Sequence, residues 1–451
     1  MKSGPRKRRN ATSRERHGAN AARTKMPARE PVLVEIGNPV YGGKFLARVE
    51  GKAVFVPLAL PGERASVRIV DDRRSYASAE LVEITQRAKE RVTPACKHFG
   101  ACGGCDYQHT SYANQIEFKK AILRETLKRG GVAEPAALQV LAAEPWAYRN
   151  RIRLALDATG NAGYRGRGSH VIVPMEECPI AAPLLVRAAR TIEGLARKES
   201  NALAVDEISL FCNADETQLL GTVTVRHGSV ERAEEVARLW TYAIPELAGV
   251  QFIRTQGAGR PPLKLAQWGA KAIEYVAAGS SYRVEQNAFF QVNRWLIDRL
   301  VETVTDGLSG QGAWDLYAGV GLFARKLAQT FSHVTAVESA LESTLALRYN
   351  LQGSSGKAVI AQTLAFLRDH LHDRPDAIVV DPPRTGLGAE VTELLGKVGA
   401  PQVVYVSCDP ATLARDLRVL IGAGYAMQSV TLADLFPQTY HLETVVHLRR
   451  K

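Results

Sequence analysis

The chain lacks any long run of apolar side chains. No stretch of about 18 consecutive apolar residues occurs among its 451 residues, so we expect no helix that spans a membrane. The first residues are basic, but no apolar segment follows them, which excludes the pattern of a secretory signal peptide. Apolar residues make up 46% of the chain and charged residues 23%, which is typical of a globular protein with buried cores.

Cysteine is also scarce, and the six cysteines are Cys96, Cys102, Cys105, Cys178, Cys212 and Cys408. Six in a chain of this length are too few for a disulfide scaffold. The first three fall within ten residues, which favours a metal ion or cluster in a reducing cytoplasm over secreted crosslinks. We therefore expect a cytoplasmic protein with a thiol-rich metal site.

Acidic residues are nearly absent from the first 29 residues. This segment holds ten Lys or Arg residues and one acid, Glu15, so it carries +9 of the net charge of +12. A segment so basic and so poor in apolar residues cannot fold alone, and its charge suits the phosphates of nucleic acid. We predict a disordered basic tail over residues 1–29, which either binds nucleic acid or only improves solubility.

The rest of the chain divides into three regions by its pattern. Residues 30–88 alternate apolar and polar side chains in short segments separated by Gly and Pro, which predicts a small β-barrel. Residues 89–285 begin with a cysteine- and glycine-rich loop and continue as mixed helices and strands. Residues 286–451 alternate strands with helices, which is typical of a doubly wound parallel sheet.

A glycine-rich turn stands near the start of the third region. The segment WDLYAGVG, which ends at Gly321, predicts a strand end and a turn into a helix, where glycines let the backbone approach a ligand. Glu338 ends the next apolar strand and could accept hydrogen bonds from both hydroxyls of a ribose. The turn alone also matches a dinucleotide site. Asp381 and Cys408 end two later strands, and a thiol and a carboxyl there favour S-adenosylmethionine over a dinucleotide.

Cys408 follows an apolar strand and precedes Asp409, where a helix begins. A helix N-terminus stabilises a thiolate, so we expect Cys408 to be a nucleophile rather than a small buried apolar residue. A thiolate can add to C6 of uracil and activate C5 for methylation, after which a base must remove the C5 proton. We choose Glu443, whose apolar neighbours would raise its proton affinity. Two alternatives stay open: Glu443 is an exposed residue on an edge strand, or His441 is the base.

These motifs together resemble those of the RNA 5-methyluridine (uracil-C5) methyltransferase family. The resemblance rests on DLYAGVG, VVDPPRTGL, SCDPATLARDL and FPQTYHLETVV, and it covers nearly the whole chain after the tail. It implies that Cys408 is the nucleophile and Glu443 the proton acceptor. It also implies contacts to S-adenosylmethionine from Gln291, Tyr317, Glu338 and Asp381. Leu322 departs from those members that have a polar residue just after the glycines, so one donor contact is expected to be missing.

The resemblance implies a multidomain α/β fold. Residues 30–88 look like the family's TRAM domain, an OB-like β-barrel that binds RNA. Residues 89–285 look like a central α+β domain with an iron–sulfur loop, and residues 286–451 like a Rossmann-like class I methyltransferase domain. Cluster-bearing members mostly act on large-subunit ribosomal RNA, so we expect 23S rRNA as the substrate, with tRNA as the second choice. We also expect a monomer. The intact Cys408, Asp381 and Glu443 disfavour a non-catalytic RNA-binding module.

Four of the cysteines form one candidate site. Cys96, Cys102, Cys105 and the more distant Cys178 supply four thiolates, a set that suits either a [4Fe–4S] cluster or structural zinc. The family resemblance implies [4Fe–4S], and four protein ligands would make it a closed, structural cluster. Cys212 lies in a predicted strand, and we interpret it as a core residue.

Arginines give a third candidate surface. Arg149, Arg151 and Arg153 alternate along a predicted strand, so that one face of the strand is basic. Together with Arg165 and Arg167 they could contact RNA phosphates. The alternative is a solvated strand face with no ligand.

Overall fold

The computed structural model describes residues 30–135, 137–157, 159–198, 204–227, 229–256 and 262–451. The predicted basic tail, residues 1–29, lies outside the described residues. Within the described ranges, no helix is both long and apolar enough to cross a membrane.

The predicted small barrel is confirmed. Its six strands are β1 (Val32–Glu35), β2 (Pro39–Val40), β3 (Lys44–Val49), β4 (Lys52–Pro57), β5 (Arg64–Asp72) and β6 (Tyr76–Gln86). They pair in the order β1-β5-β6-β4-β3-β2. A hydrogen bond from Gly37 N to Leu46 O (2.7 Å) brings the connection after β1 onto β3. Alternate residues of β3, Phe45 and Ala47, are buried in the barrel core because side chains alternate across a strand.

A seven-stranded sheet occupies the middle of the chain. The elements in order are α1 (Tyr112–Arg129), β7 (Leu138–Leu141), β8 (Arg151–Leu156), β9 (Ala162–Arg165), β10 (Ile172–Pro174), α2 (Pro183–Lys198), β11 (Val205–Cys212), β12 (Leu219–Val225), α3 (Val230–Ala243), β13 (Leu247–Arg254) and β14 (Leu263–Gly269). The strand order is β10-β9-β8-β11-β12-β13-β14. Helices α2 and α3 pack on the apolar face of this sheet, where Leu185 and Trp240 join its core.

The remaining elements form an antiparallel hairpin from their first two strands and the predicted sheet, which is parallel except for the last strand of the chain. They are β15 (Ala272–Ala277), β16 (Ser280–Glu285), α4 (Ile297–Thr305), β17 (Gly310–Leu316), α5 (Leu322–Leu327), β18 (Phe331–Glu338), α6 (Leu341–Asn350), β19 (Gly356–Ile360), α7 (Thr363–Asp369), β20 (Ala377–Val380), α8 (Gly388–Val398), β21 (Gln402–Ser407), α9 (Pro410–Gly422), β22 (Tyr425–Ala433) and β23 (Glu443–Arg450). The order is β19-β18-β17-β20-β21-β23-β22-β7. Val379 of β20 packs in the core on one face, and Ile378 and Val380 pack in the core on the other. Helices cover both faces, which is why these strands are apolar throughout.

Two segments inside residues 89–285 pack with the C-terminal sheet rather than with the central one. Strand β7 pairs in parallel with β22, with Gln139 opposite Thr431, 292 residues later. Helix α1 shares a core with α9, in which Leu123 and Leu417 are both buried. The sequence pattern does not reveal this pairing, because β7 has only four residues and two of them are exposed.

Candidate active site and cysteine cavity

The carboxyl ends of four parallel strands meet at one edge of the C-terminal sheet. Leu316 of β17 lies opposite Val337 of β18 and Val380 of β20. Val380 in turn lies opposite Tyr405 of β21. The strand-end residues that the sequence analysis singled out lie at this edge, within a few residues of these pairs: Tyr317, Glu338, Asp381 and Cys408.

Cys408 and Glu443 come together at the same edge from two antiparallel strands. Ser407, the last residue of β21, lies opposite Thr444 of β23, so Cys408, which directly follows β21, and Glu443, the first residue of β23, are neighbours. Cys408 is half-buried and Glu443 is buried. The ladder between the two strands therefore places the predicted nucleophile beside the predicted base.

The thiol of Cys408 is protonated at neutral pH in this site. Burial raises its pKa to about 12, and the neighbouring carboxyl groups of Glu443 and Asp381 add to the rise. The guanidinium of Arg384 acts in the opposite direction and lowers the pKa, but it does not offset the burial. A thiol with such a pKa needs a proton acceptor before it can attack.

The N-terminus of α9 does not stabilise a thiolate at Cys408 in the way the sequence suggests. Asp409 caps this helix, and its carboxylate accepts hydrogen bonds from the amides of Ala411 and Thr412, both at 3.0 Å. These are the donors that a helix end offers to an anion. The prediction of a thiolate stabilised by the helix is therefore wrong for this site, because Asp409 takes the position.

The carboxyl group of Glu443 has a raised proton affinity. Burial raises the pKa of Glu443 well above its usual value, Asp381 raises it further, and Arg384 opposes both. Burial also raises the pKa of Asp381 to about 7. A general base works best when its pKa is near the working pH, so both carboxyl groups are better proton acceptors here than in water.

His441, the alternative base, has the opposite environment. Burial lowers the pKa of His441 to about 3, and the charges of Arg384 and Lys119 lower it further. Nη2 of Arg384 donates a hydrogen bond to Nδ1 of His441 at 3.1 Å. An imidazole that already faces a cation binds a proton weakly, so Glu443 is the stronger base of the two.

The glycine-rich turn after β17 has a backbone that few side chains allow. Tyr317, Gly319 and Gly321 have φ values of 66°, 56° and 89°. A Cβ at Gly321 would lie 2.7 Å from Cδ1 of Leu347, so only glycine fits there. Nothing lies within 4 Å of a Cβ built on Gly319, so the space above the turn is open.

Glu338 fastens this turn. Its Oε2 accepts a hydrogen bond from Gly319 N at 2.9 Å, and its Oε1 accepts from Ser339 N and Ala340 N, both at 2.6 Å. A carboxylate has about four acceptor positions, so these three bonds leave about one for a ligand. Glu338 thus fixes the shape of the turn.

A cavity opens against the turn, and the side chains of both Gln291 and Asp381 line it. Gln291 comes from the segment before α4 and is 7% exposed. Leu322, the first residue of α5, lines the same cavity with an apolar side chain. Of the four residues to which the resemblance assigned donor contacts, Gln291, Tyr317 and Asp381 line this cavity with Leu322, whereas Glu338 contacts the turn through Gly319 N.

The cysteines that were grouped from the sequence line one cavity: Cys96, Cys102, Cys105 and Cys178. All are free thiols. Cys96 N donates to Oε1 of Gln108 at 3.0 Å, and the hydroxyl of Tyr164 lies 3.7 Å from Sγ of Cys178. Burial raises the pKa of the Cys105 thiol to about 12. Two loops distant in sequence thus meet around one thiol-lined space.

These thiols do not have the spacing of a single-ion site. Across the described ranges, no group of three or more Cys, His, Asp or Glu side chains is arranged to hold one metal ion. Zinc needs its thiolates about 2.3 Å from one centre, which places them within about 4 Å of each other. The remaining thiol of the central sheet, Cys212, is buried in the core with Sγ 3.7 Å from Asn150 O, which confirms its interpretation as a core residue.

The predicted basic strand face lines a second cavity, of about 350 Å³. Arg149 precedes β8, and Arg151 lies within it. The guanidinium of Arg151 packs 4.4 Å from the ring centre of Phe211, and its Nη2 donates to Ala288 O at 2.9 Å. The Nε atoms of Arg149 and Arg151 are buried without a hydrogen-bond partner in the described part of the chain. These two arginines are therefore not part of a solvated face.

The other three arginines differ from each other. Arg153 also lines the cavity but is exposed, with Nε 3.2 Å from a carboxylate oxygen of Glu207. Arg165 is exposed, whereas Arg167 donates to Asp106 at 2.8 Å. Arg151, Arg153 and Arg167 are thus engaged within the protein, although Arg151 and Arg153 also line the cavity.

Two residues beside Cys408 were not singled out from the sequence. The hydroxyl of Tyr41, in the barrel, donates to the backbone oxygen of Cys408 at 3.2 Å across 367 residues. The guanidinium of Arg384 is the cation that lowers the pKa of both Cys408 and Glu443. Its place directly after the Asp381 strand end was a usable signal. Tyr41 leaves no local signal, since its contact depends on how the barrel packs on the sheet.

Two protein families match parts of the chain. The family described as TRAM domain matches residues 28–82, which contain most of the barrel. The family described as tRNA (Uracil-5-)-methyltransferase matches residues 369–451, from the end of α7 through β23. The second match includes Asp381, Cys408 and Glu443.

Relatives match over nearly the whole chain. An uncharacterized RNA methyltransferase of Streptomyces avermitilis is 34% identical over 444 residues, which cover 93% of this chain and 98% of the relative. The 23S rRNA (uracil(1939)-C(5))-methyltransferase RlmD of Halomonas elongata is 32% identical over 471 residues, which cover 99% and 93%.

A solved structure shares the fold. The tRNA (uracil-54, C5)-methyltransferase of Pyrococcus abyssi, in complex with S-adenosyl-L-homocysteine, superposes with a TM-score of 0.75 at 22% identity. The match covers 92% of this chain and 99% of that one. With the relatives above and the strand-end site, it follows that the chain belongs to the RNA uracil-C5 methyltransferase family and is an S-adenosylmethionine-dependent enzyme.

Proposed function

We propose that this enzyme methylates C5 of a uridine through a covalent bond between Sγ of Cys408 and C6 of the base, and that Glu443 removes the C5 proton. The observation that carries the proposal is the opposition of Cys408 and Glu443 at the strand ends, beside the glycine-rich turn. C5 of uracil is a weak nucleophile until a group adds to C6, so the reaction needs a nucleophile and a base side by side.

Each bond change has an assigned residue. The thiol of Cys408 gives up its proton to solvent and the thiolate adds to C6, so that the C5–C6 π electrons form an enolate with a nucleophilic C5. C5 takes the methyl group while the sulfur–methyl bond of the donor breaks with both electrons on sulfur. Glu443 then accepts the C5 proton, the C–H electrons re-form the double bond, and Cys408 leaves with the electrons of the S–C6 bond. The uridine must be unstacked for this attack.

We assign the donor site to Gln291, Tyr317, Glu338 and Asp381. When bound there, S-adenosylmethionine would supply an electrophilic methyl group on its sulfonium. The open space above Gly319 and the remaining acceptor position of Glu338 fit the ribose side of a nucleoside. Gln291 and Asp381 border the cavity with polar atoms, while Leu322 offers only apolar contact.

We further propose that Cys96, Cys102, Cys105 and Cys178 hold a [4Fe–4S] cluster. Four thiolates complete the ligand set of such a cluster. Thiols spread around a cavity, and not around one point, suit a polynuclear cluster better than one zinc ion. The Arg149 guanidinium interacts electrostatically with Cys105 and Cys178, and it would offset part of the negative charge of four thiolates. With no ligand position left open, the role of this site is to fasten the cysteine loop.

The proposed RNA is 23S rRNA. The Halomonas relative, named for uracil 1939 of 23S rRNA, resembles this chain in sequence over nearly its whole length. The Pyrococcus enzyme, named for tRNA, shares the fold at lower identity. The barrel and the arginine-lined cavity suit a nucleic-acid backbone. Methylation of tRNA is the second candidate, and the cytoplasm, where thiols stay reduced, is the proposed compartment.

The reaction is tested with purified protein, labelled S-adenosylmethionine, and 23S rRNA or tRNA transcripts that are afterwards digested to nucleosides. We expect 5-methyluridine from 23S rRNA. Its appearance only in tRNA would change the substrate, and its absence from both would leave a non-catalytic RNA-binding module.

The nucleophile and the base are tested separately. Cys408→Ala should abolish turnover and the covalent adduct with 5-fluorouridine RNA, in which C5 carries no proton that a base can remove. Glu443→Gln should still form the adduct on ordinary RNA but release product about 100-fold more slowly or worse, since its amide cannot accept the C5 proton. A surviving adduct in Cys408→Ala would eliminate this nucleophile.

The cluster is tested by iron and sulfide analysis of anaerobically purified protein. We expect iron and sulfide in equal amounts, and a large loss of both in Cys105→Ser. Cys212→Ala is the matched control, because Cys212 is also a free thiol but lies in the core of the central sheet, and its metal content should equal that of the wild type. Zinc without sulfide would contradict the cluster.

A further inference from the structure

The loop between β22 and β23, residues Asp434–Leu442, leads directly into the proposed base. We call it the clamp loop, because two other parts of the chain, helix α1 and the cysteine loop, hold it. Its side chains Asp434, Gln438 and Thr439 are buried polar groups, at 0%, 2% and 2% exposure. Buried polar groups are stable only when hydrogen-bonded, so their partners determine the shape of this loop.

Gln438 lies at the centre of the clamp loop in a conformation that its own backbone does not favour. Its φ is 68°, in the left-handed region that favours glycine. Gln115 of α1, which is fully buried, pairs with it twice: Nε2 of Gln115 donates to Oε1 of Gln438, and Gln438 N donates to Oε1 of Gln115, both at 2.9 Å. An outside contact of this kind is what keeps a strained residue in place.

The cysteine loop holds the same turn from another side. The backbone amides of Asp106 and Tyr107, the two residues after Cys105, donate to Gln438 O at 2.8 and 3.0 Å. The carboxylate of Asp106 accepts a hydrogen bond from Tyr440 N at 3.3 Å. The segment that carries the cysteines is therefore joined to the loop that precedes Glu443.

A buried ion pair fixes the start of the clamp loop. Nζ of Lys119, also on α1, lies 2.6 Å from Oδ1 of Asp434 and donates to Phe436 O at 2.9 Å. Both charged side chains are fully buried. Gln115 and Lys119 are four residues apart and thus lie on one face of the helix. One face of α1 therefore holds both the start and the middle of the clamp loop.

We propose that Gln115 is a positioning residue for Glu443, a role that rests on the proposed function of Glu443 as the base. Glu443 is the junction of the clamp loop and β23, so its side chain is directed by the ladder on one side and by the loop on the other. Removal of the Gln115 amide leaves Gln438 N without its partner and frees the strained turn. Cys408 lies outside the clamp loop, so the nucleophile keeps its place.

The order of the chemical steps gives this role a distinct readout. The base acts only after C5 has received the methyl group, so a misplaced base leaves the methylated RNA attached to Cys408. A variant that is merely less stable loses adduct formation and turnover in the same proportion. Accumulation of adduct on ordinary uridine RNA therefore separates positioning of Glu443 from a general loss of structure.

The test uses full-length protein, S-adenosylmethionine and a 23S rRNA transcript with ordinary uridine. Gln115→Ala should slow product release by about 10- to 100-fold, since small misplacements of a reacting group have effects of that size. The adduct should form at the wild-type rate and accumulate on a denaturing gel. Glu117→Ala, on the exposed face of the same helix, is the matched control and should release product at the wild-type rate.

Two further variants make the result decisive. If Gln115→Ala does not fold, Gln438→Ala removes the side-chain half of the pair, the bond from Nε2 of Gln115, and keeps the backbone strain, so it should accumulate adduct to a smaller extent. Wild-type release, or a parallel loss of both steps, would overturn the proposal. Glu443→Gln is run beside them. If it accumulates adduct and the Gln115 and Gln438 variants do not, only the positioning role fails, whereas no adduct in Glu443→Gln means that the proposed base fails.

Discussion

The catalytic edge of the sheet and the cysteine cavity contain thiols with the same protonation state but different surroundings. Burial raises the pKa of both Cys408 and Cys105 to about 12. At the edge, the thiol faces Glu443 and Asp381, which can move protons. In the cavity, Cys105 faces other thiols and Arg149, which can hold a charged group but take no proton from it. The neighbours of a thiol, and not its own pKa, therefore indicate what it does.

The two regions also differ in how they are held. Cys408 and Glu443 adjoin paired strands, where ladder hydrogen bonds fix the backbone. The cavity thiols lie on two loops, which come together through a few contacts such as the hydrogen bond from Lys97 N to Oε1 of Glu177. A site on strand ends is preorganised without a ligand, whereas a site on loops depends on what it binds.

The largest effect is expected when one thiol from each region is replaced, Cys408 at the sheet edge and Cys105 in the cavity. Cys408→Ala should lower turnover by about four orders of magnitude or more, because no other group there can add to C6. Cys105→Ala should instead lower the unfolding temperature and the iron content, with residual turnover in the folded fraction. Methylation assays and thermal unfolding on the same preparations check both. If Cys408→Ala and Cys105→Ala lose the same amount of turnover and unfold at the same temperature, the two thiols do not have different roles.

The pH dependence of adduct formation tests the protonation of the catalytic thiol. Only the thiolate attacks, and a raised pKa means that its fraction increases about tenfold per pH unit below that pKa. The pKa of Glu443 is also raised, so its ionised fraction likewise increases as the pH rises. The rate of adduct formation with 5-fluorouridine RNA should therefore rise with pH through the neutral range. A flat profile would show instead that the thiol proton passes to a carboxylate inside the site.

A smaller effect is expected where the barrel touches the catalytic edge. Tyr41→Phe removes the hydrogen bond to Cys408 O but keeps the ring packed at 5.4 Å on Tyr440. A hydrogen bond of this kind contributes about 1 kcal/mol, so adduct formation should slow about fivefold. Tyr76→Phe, in the same barrel but packed on Phe55, is the matched control. Equal rates in both variants would show that the barrel does not position the nucleophile.

The smallest expected effect is on the stability of the folded protein, which decreases when the buried carboxyl group of Asp315 ionises. Burial raises the pKa of Asp315, beneath the glycine-rich turn, to about 8, and its Oδ1 is buried without a partner in the described ranges. The unfolded chain ionises this group from about pH 4, so the folded state loses stability as the pH rises from there to about 8. Asp315→Asn keeps the acceptor for Ala324 N and should raise the unfolding temperature at pH 8 but not at pH 4. An equal change at both values would contradict a buried acid.

The motifs around strands were predictable because their chemistry is local. An apolar strand followed by Cys408-Asp409, or by Asp381, places a functional group at a strand end whatever the rest of the chain does. Ser111 caps α1 by accepting a hydrogen bond from Asn114 N, a contact that likewise depends only on neighbouring residues. Side-chain periodicity and caps act over a few residues, so the sequence alone contains them.

The sequence by itself determined the nucleophile candidate, the glycine-rich turn and the barrel, since each depends on residues close together in the chain. Only the tertiary structure decided that Asp409 takes the helix end from Cys408, and that Gln115 holds Gln438 across 323 residues. These outcomes depend on burial and on hydrogen bonds between distant segments. Such contacts form only once whole elements pack, and they leave no pattern along the chain.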